Sequence, residues 1–362
     1  MEVRGKTLWK VNPFLHFKED EIYSPLADSS INKEDPGFRF LQENRKKEFL
    51  IDRLPPDTAS FLAGGTWVVP ALADVTPRFF LKYASIETHT VCNQACRFCP
   101  VSVSPRKPHY MPTELFGRIV DALAAYRKTL KGVFLNNYNE PFCDKRIIDH
   151  VRTIKKAGLN PAILTNGTEF TPEKIDALVD LGSIGYLAVN ISSMQKGEYV
   201  AHHGKDNLAR VLHNLEYARN RDVADRMAIV VLGDGSDRHR RNFEAISKRF
   251  DKTRFETRYF LFVDRAGFLD KGAKPGAGHK KLCGCEEFGS RPLQHIHINS
   301  SGKCLFCCQD YDENYIVGDL NRDTVEGVLT GPQLSSLRAQ AYGLQEAPPD
   351  FICRKCVFAL TC

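Results

Sequence analysis

Nowhere in the 362 residues does an uninterrupted apolar run reach the length of about 18 residues that a bilayer-spanning helix needs, which excludes a span of that kind. The opening residues, Met1-Glu-Val-Arg-Gly-Lys6, carry charge with no apolar stretch behind them, so no export signal is expected. No segment repeats along the chain, which sets aside repeat architectures. A strongly basic domain is missing too. The most basic stretch, Asp237 to Phe250, has apolar residues at helical intervals and reads as a solvated helix face, so nucleic acid is not expected as a partner. What the chain does have is cysteine. Twelve cysteines without an export signal point to reduced thiols and metal rather than disulfides, and to the cytoplasm. At 43% hydrophobic, the chain can bury one main domain with one or two appendages.

Three of the thiols fall in one short loop, Cys92-Asn-Gln-Ala-Cys96-Arg-Phe-Cys99. Three thiolates this close can wrap one corner of a cubane iron–sulfur cluster and hold three of its four irons, leaving the fourth open. A zinc site would call for a second CxxC or a histidine pair close by in sequence, and neither is there. The flanks agree with the cluster reading. Phe79 to Glu87 has the pattern of a strand ending just before the loop, and Pro112 to Leu123 that of the helix after it.

From there strand-like and helix-like segments alternate. Strands are expected at 132–136, 160–165, 186–191, 227–232 and 258–263; helices at 145–157, 171–181 (Thr171 as N-cap, Pro172 at its first position), 207–219 and across the basic stretch. Repeated βα units imply a parallel sheet with helices outside, open or closed into a barrel. In such barrels reactive groups sit at the carboxyl ends of strands, where the cysteine loop falls. Residues 1–78 lack this rhythm and are punctuated by prolines. Residues 264–282 read as a glycine-rich linker, and a tail dense in cysteine follows: Cys283, Cys285, Cys304, Cys307, Cys308, Cys353, Cys356 and Cys362. His202, His203 and the linker lysines read as solvated surface.

With loop, alternation and tail in view, the chain resembles the radical SAM superfamily, and its tail resembles the SPASM or twitch extension that binds an auxiliary cluster. The resemblance spans roughly residues 80–358. It implies an α/β fold: a partial (β/α)6 TIM-like barrel (79–263) with an N-terminal extension (1–78), a linker (264–282) and a small cysteine-rich C-terminal domain (283–362). It implies that Cys92, Cys96 and Cys99 bind a [4Fe-4S] cluster whose open iron is chelated by S-adenosylmethionine (SAM). A 5′-deoxyadenosyl radical then abstracts a substrate hydrogen. Phe98 takes the family's aromatic place beside the adenine. Asn136-Asn-Tyr-Asn139-Glu140-Pro141 stands where the family has Gly-Gly-Glu-Pro, with Tyr138 and Asn139 replacing the glycines. Asn166, in the Thr165-Asn-Gly167 turn, and Asn190 and Ser192, after the fourth strand, match further cofactor positions.

In the tail, Gly302-Lys-Cys-Leu-Phe-Cys307 matches the SPASM Gly-x4-Cys, and Cys353-Arg-Lys-Cys356 supplies a CxxC. The implied ligands of one auxiliary [4Fe-4S] cluster are Cys285, Cys307, Cys353 and Cys356, with Cys304 or Cys308 as replacements for Cys307. Cys362 matches the spacing of a further ligand but ends the chain, so a single auxiliary cluster is expected. Two bound clusters would lower the formal net charge from +6 to roughly +3. The substrate is expected to be a peptide or a small polar metabolite, with oxidation or bond formation as outcome and an external one-electron donor such as flavodoxin or ferredoxin. Epimerisation is the alternative, with Cys143 as hydrogen donor. A non-enzymatic electron carrier or a zinc scaffold would explain the cysteines but not the matched segments at Glu140, Asn166 and Ser192. Residues 1–78 share features with the peptide-binding winged-helix domains that precede some SPASM enzymes; a cap on the barrel is the other reading.

Overall fold

Six strands hydrogen-bond side by side in chain order, every neighbouring pair parallel: β1 (Tyr83–Ile86), β2 (Gly132–Phe134), β3 (Pro161–Thr165), β4 (Ile184–Asn190), β5 (Ala224–Gly233) and β6 (Phe255–Leu261). The computed structural model describes residues 2–3, 6–269 and 281–362. Most of the expected linker therefore lies outside the described residues. The crossovers are helical: α1 (Thr113–Leu123), α2 (Ile147–Lys156), α3 (Pro172–Asp180), α4 (Lys196–His203), α5 (Leu208–Ala218) and α6 (Asp237–Arg249). Helix α1 shows why they form. Leu115, Phe116, Ile119, Val120 and Leu123 recur at helical spacing and are buried against the sheet, while the residues between them face out. Alternate strand residues such as Ile86, Val133, Leu187 and Ile229 meet these helices in one core. The other face of the sheet is concave. This is the α/β, partial barrel arrangement expected.

The sheet continues past β1. Strand β7 (His295–Ile298) pairs parallel with β1, and β8 (Lys303–Leu305) and β9 (Ile316–Asp319) follow antiparallel, giving nine strands in all. The cysteine-rich tail is thus hydrogen-bonded to the barrel edge. Its two ends meet each other, Leu282–Cys285 pairing antiparallel with Ala359–Thr361. The N-terminal region forms two three-stranded sheets and two short helices around its own core of Val11, Leu15, Ile22, Leu41, Leu62 and Trp67. It docks through Asp28, which accepts from Lys82 and Lys131 at 2.6 Å each, and through His16, 2.9 Å from the Tyr342 hydroxyl. Among the described residues no helix is long and apolar enough to cross a membrane.

Candidate active site and cysteine cavity

The cysteine loop leaves the carboxyl end of β1 and rests on the end of α4. Ala95 N–H donates to the His203 carbonyl (3.1 Å) and Arg97 N–H to the His202 carbonyl (3.0 Å), so the loop satisfies carbonyls that a helix terminus leaves open. Gly204 ends α4 at φ +75°, and a Cβ there would lie 2.4 Å from the Ala95 carbonyl oxygen; only glycine fits both demands. His203, expected on the surface, is buried instead. Its Nδ1 lies 3.5 Å from Cys96 Sγ, its Nε2 accepts from Ser192 N–H, and its ring stacks on Tyr199. The expectation failed because the helix ends at the loop rather than in solvent. Burial holds His203 neutral, its pKa lowered to about 3.

Burial also pushes the three loop thiols up, Cys92 to about 12, and the neighbouring thiols add to the rise at Cys96. Such thiols ionise only when a cationic group binds them, which fits the donor set to a metal cluster. Beside them Glu140 is wholly buried at the exit of β2. It accepts from Thr165 Oγ1 (2.6 Å), Asn166 N–H (2.6 Å) and Phe142 N–H (3.1 Å), and its own amide donates to the Val91 carbonyl. One residue therefore ties β2 and β3 through its carboxyl and the start of the loop through its amide; burial raises the pKa of the carboxyl to about 7. Asn166 Nδ2 reaches Asn93 (2.9 Å) and Cys92 Sγ (3.9 Å). Asn139 turns back on its own segment, accepting from Asn137 N–H. Phe98 stacks on Phe262 at 5.2 Å. Asn190 Oδ1 and Ser192 Oγ are buried with no partner among the described residues, as groups awaiting a ligand would be. Cys143 sits half-buried in the turn after Glu140.

In the tail, Cys285, Cys307, Cys353 and Cys356 line one small cavity together with Arg291, Phe306 and Phe358. Cys304 lies in β8 and is buried in the core. Cys308 faces Arg291, whose Nη1 donates to its sulfur at 2.7 Å. Among the described residues no three His, Cys, Asp or Glu groups converge as a single ion would require. The thiols enclose a volume rather than a point, which suits a cluster better than a zinc ion with bonds of about 2.3 Å. The sequence reading passed over the buried Glu87–Arg106 pair, which closes the top of β1 through two hydrogen bonds. An Arg fourteen residues beyond Cys92, the loop start, carries no motif that would have pointed to it.

Comparison with known proteins agrees with this geometry. Residues 86–243 match the model of the radical SAM superfamily, and residues 285–357 match that of the SPASM iron–sulfur cluster-binding domain. The chain thus contains a radical SAM domain followed by a SPASM domain. Those domains carry a SAM-binding [4Fe-4S] cluster and an auxiliary iron–sulfur cluster. Over 102 residues it is 32% identical to the tungsten-containing aldehyde ferredoxin oxidoreductase cofactor-modifying protein of Pyrococcus furiosus, a match covering 28% of each chain. In fold it is similar to SuiB of Streptococcus suis, solved bound to precursor peptide SuiA. That likeness has a TM-score of 0.59 at 12% identity and covers 96% of this chain and 93% of SuiB. It is also similar to BtrN, solved with AdoMet and 2-DOIA, at TM-score 0.53 and 17% identity over 77% of this chain and 94% of BtrN.

Proposed function

We propose that Cys92, Cys96 and Cys99 hold the first cluster, and that Phe98, Asn139, Glu140, Asn166, Asn190 and Ser192 seat SAM around it. Cys285, Cys307, Cys353 and Cys356 hold the auxiliary cluster. With these groups bound, the chemistry supplied is reductive cleavage of SAM to a 5′-deoxyadenosyl radical and abstraction of a substrate hydrogen atom. The chain's own part is positional. Glu140 fixes the loop entry through Val91, Asn166 orients the side chains of Asn93 and Cys92, and helix α4 fixes the loop from the other side. The carrying observation is the pairing of a three-thiol loop at the strand ends with a four-thiol cavity in the tail.

The substrate is a peptide or a small polar metabolite, and the outcome oxidation or bond formation. The likeness to SuiB, which covers 96% of this chain against 77% for BtrN, supports a peptide. In this reading residues 1–78 are an extension that meets substrate, 79–263 the barrel, 264–282 a linker and 283–362 the auxiliary domain. The enzyme works in the cytoplasm with a flavodoxin- or ferredoxin-like electron donor and no nucleic acid. A second reading, epimerisation, rests on Cys143. Burial pushes its thiol up to about 12, keeping the S–H that a hydrogen donor needs. The test is anaerobic reconstitution with dithionite and SAM. Formation of 5′-deoxyadenosine is expected, and none despite a reduced cluster would overturn the reading. With substrate in hand, Cys143→Ala separates the two outcomes: turnover without inversion supports the donor role, and an unchanged product excludes it.

A further inference from the structure

The concave face of the sheet carries polar groups that cofactor binding does not use. Strand β7 lies in register with β1, His295 opposite Tyr83 and His297 opposite Ser85. The two-residue period puts both histidines on the side of Tyr83, Ser85 and Phe134. The ring contacts agree: His295 is 5.7 Å from Tyr83 and 6.4 Å from Phe134, and the two imidazoles stack at 4.1 Å. Ser85 Oγ lies 3.0 Å from His295 Nε2. Farther across the same face, Leu164 and Phe260 are exposed, so the face opens to solvent.

His297 is 0% exposed, yet neither of its ring nitrogens has a partner among the described residues, and His295 Nδ1 has none either. A buried polar atom left unpaired is costly, and three in one short strand are not what packing alone would select. An apolar ring would fill the same space without that penalty. Burial, and the charge of Arg291 behind it, hold both histidines well below their usual range and hence neutral. A neutral imidazole offers one N–H and one lone pair. The complement is a group that both donates and accepts without charge. An ammonium is disfavoured beside Arg291, and a carboxylate would be drawn to Arg291 itself.

We propose that His295 and His297 form a subsite for a substrate hydroxyl, carried either by a polyol or by a serine or threonine side chain. This deepens the hydrogen-abstraction reading and rests on it, since the subsite would place the hydroxyl-bearing carbon in the barrel. The test is calorimetric titration of the reconstituted full chain with myo-inositol and, separately, with a serine-containing peptide amide. One probe is expected to bind, about tenfold or more weaker in His297→Phe and partly recovered in His297→Gln, which keeps a donor and an acceptor. The probe that binds identifies the source. Without probe, His297→Phe and His297→Leu are expected to melt at or above the wild type. Binding of neither probe, an unchanged affinity in His297→Phe, or a marked loss of melting temperature in both apolar variants would each overturn the subsite. Failure of the hydrogen-abstraction reading shows separately, as absence of 5′-deoxyadenosine, and leaves the titration intact.

Discussion

Cys92, Cys96 and Cys99 come from one loop, whereas Cys285, Cys307, Cys353 and Cys356 are drawn from three segments of the tail and line a cavity. The loop is a local structure: its thiols are near one another before any tertiary contact forms, and α4 and Glu140 only fix its orientation. The cavity exists only once β7–β9 have joined the barrel sheet and the two ends of the tail have paired. The first site is therefore set by its own loop, and the second is also part of what closes the tail.

The largest break in that comparison comes from removing one thiol at each site. Cys96→Ala is expected to abolish SAM cleavage, a loss beyond the roughly 10–100-fold that a missing supporting group costs a metal site, while the melting temperature barely moves. Cys353→Ala is expected to do the reverse in kind. Tail iron is lost and melting falls by several degrees, at about 2–4 °C per kcal/mol for a domain of this size, with SAM cleavage reduced less. Iron content, melting and 5′-deoxyadenosine measured on both variants decide it. Equal loss of stability in the two would dissolve the distinction.

A smaller effect is expected at Glu140, which belongs to the loop site without being a cysteine. Glu140→Ala leaves two buried amides and a hydroxyl unpaired, costing about 2–4 kcal/mol. The pH dependence sharpens this. The folded carboxyl holds its proton up to about 7, while the unfolded one releases it near 4.5. The folded state thus binds more protons between these values, and this group's contribution to stability falls as pH rises from 4.5 to 7. Glu140→Gln cannot titrate and should flatten that slope in chemical denaturation; an unchanged slope would remove Glu140 as its source.

The barrel was legible because its outer face is built from apolar alternation and amphipathic helices, both local signals. The strands expected at 132–136 and 160–165 are found as Gly132–Phe134 and Pro161–Thr165. Helix α4 was not legible: apart from Tyr199 and Val200 it reads as polar, and what it buries is a histidine against the cysteine loop. Strand β7 was hidden for another reason. Its sequence, His-Ile-His-Ile, alternates as a strand should, but its partner is β1, more than two hundred residues earlier, and no local pattern encodes that pairing. The same limit applied to the central cysteines. The Gly-x4-Cys match favoured Cys307 but left Cys304 and Cys308 as replacements, whereas β8 turns Cys304 into the core and the chain beyond it turns Cys307 to the cavity and Cys308 to Arg291.

The smallest expected effect isolates the loop from the tail without touching a thiol or a charge. Gly204→Ala must place a β-carbon at φ +75° and within 2.4 Å of the Ala95 carbonyl oxygen. Backbone strain of about 1–2 kcal/mol follows, and it is relieved by moving the loop, since the helix end is fixed by packing of Tyr199 and His203. Melting should fall by only a few degrees. SAM affinity and iron bound at the loop should fall with it, because the amides of Ala95 and Arg97 lose their carbonyl partners in helix α4. The tail cavity shares no contact with Gly204 and should keep its iron. Loss of iron from both sites in this variant would mean that the loop and the tail are energetically one unit, and the contrast between a local site and an assembled one would not hold.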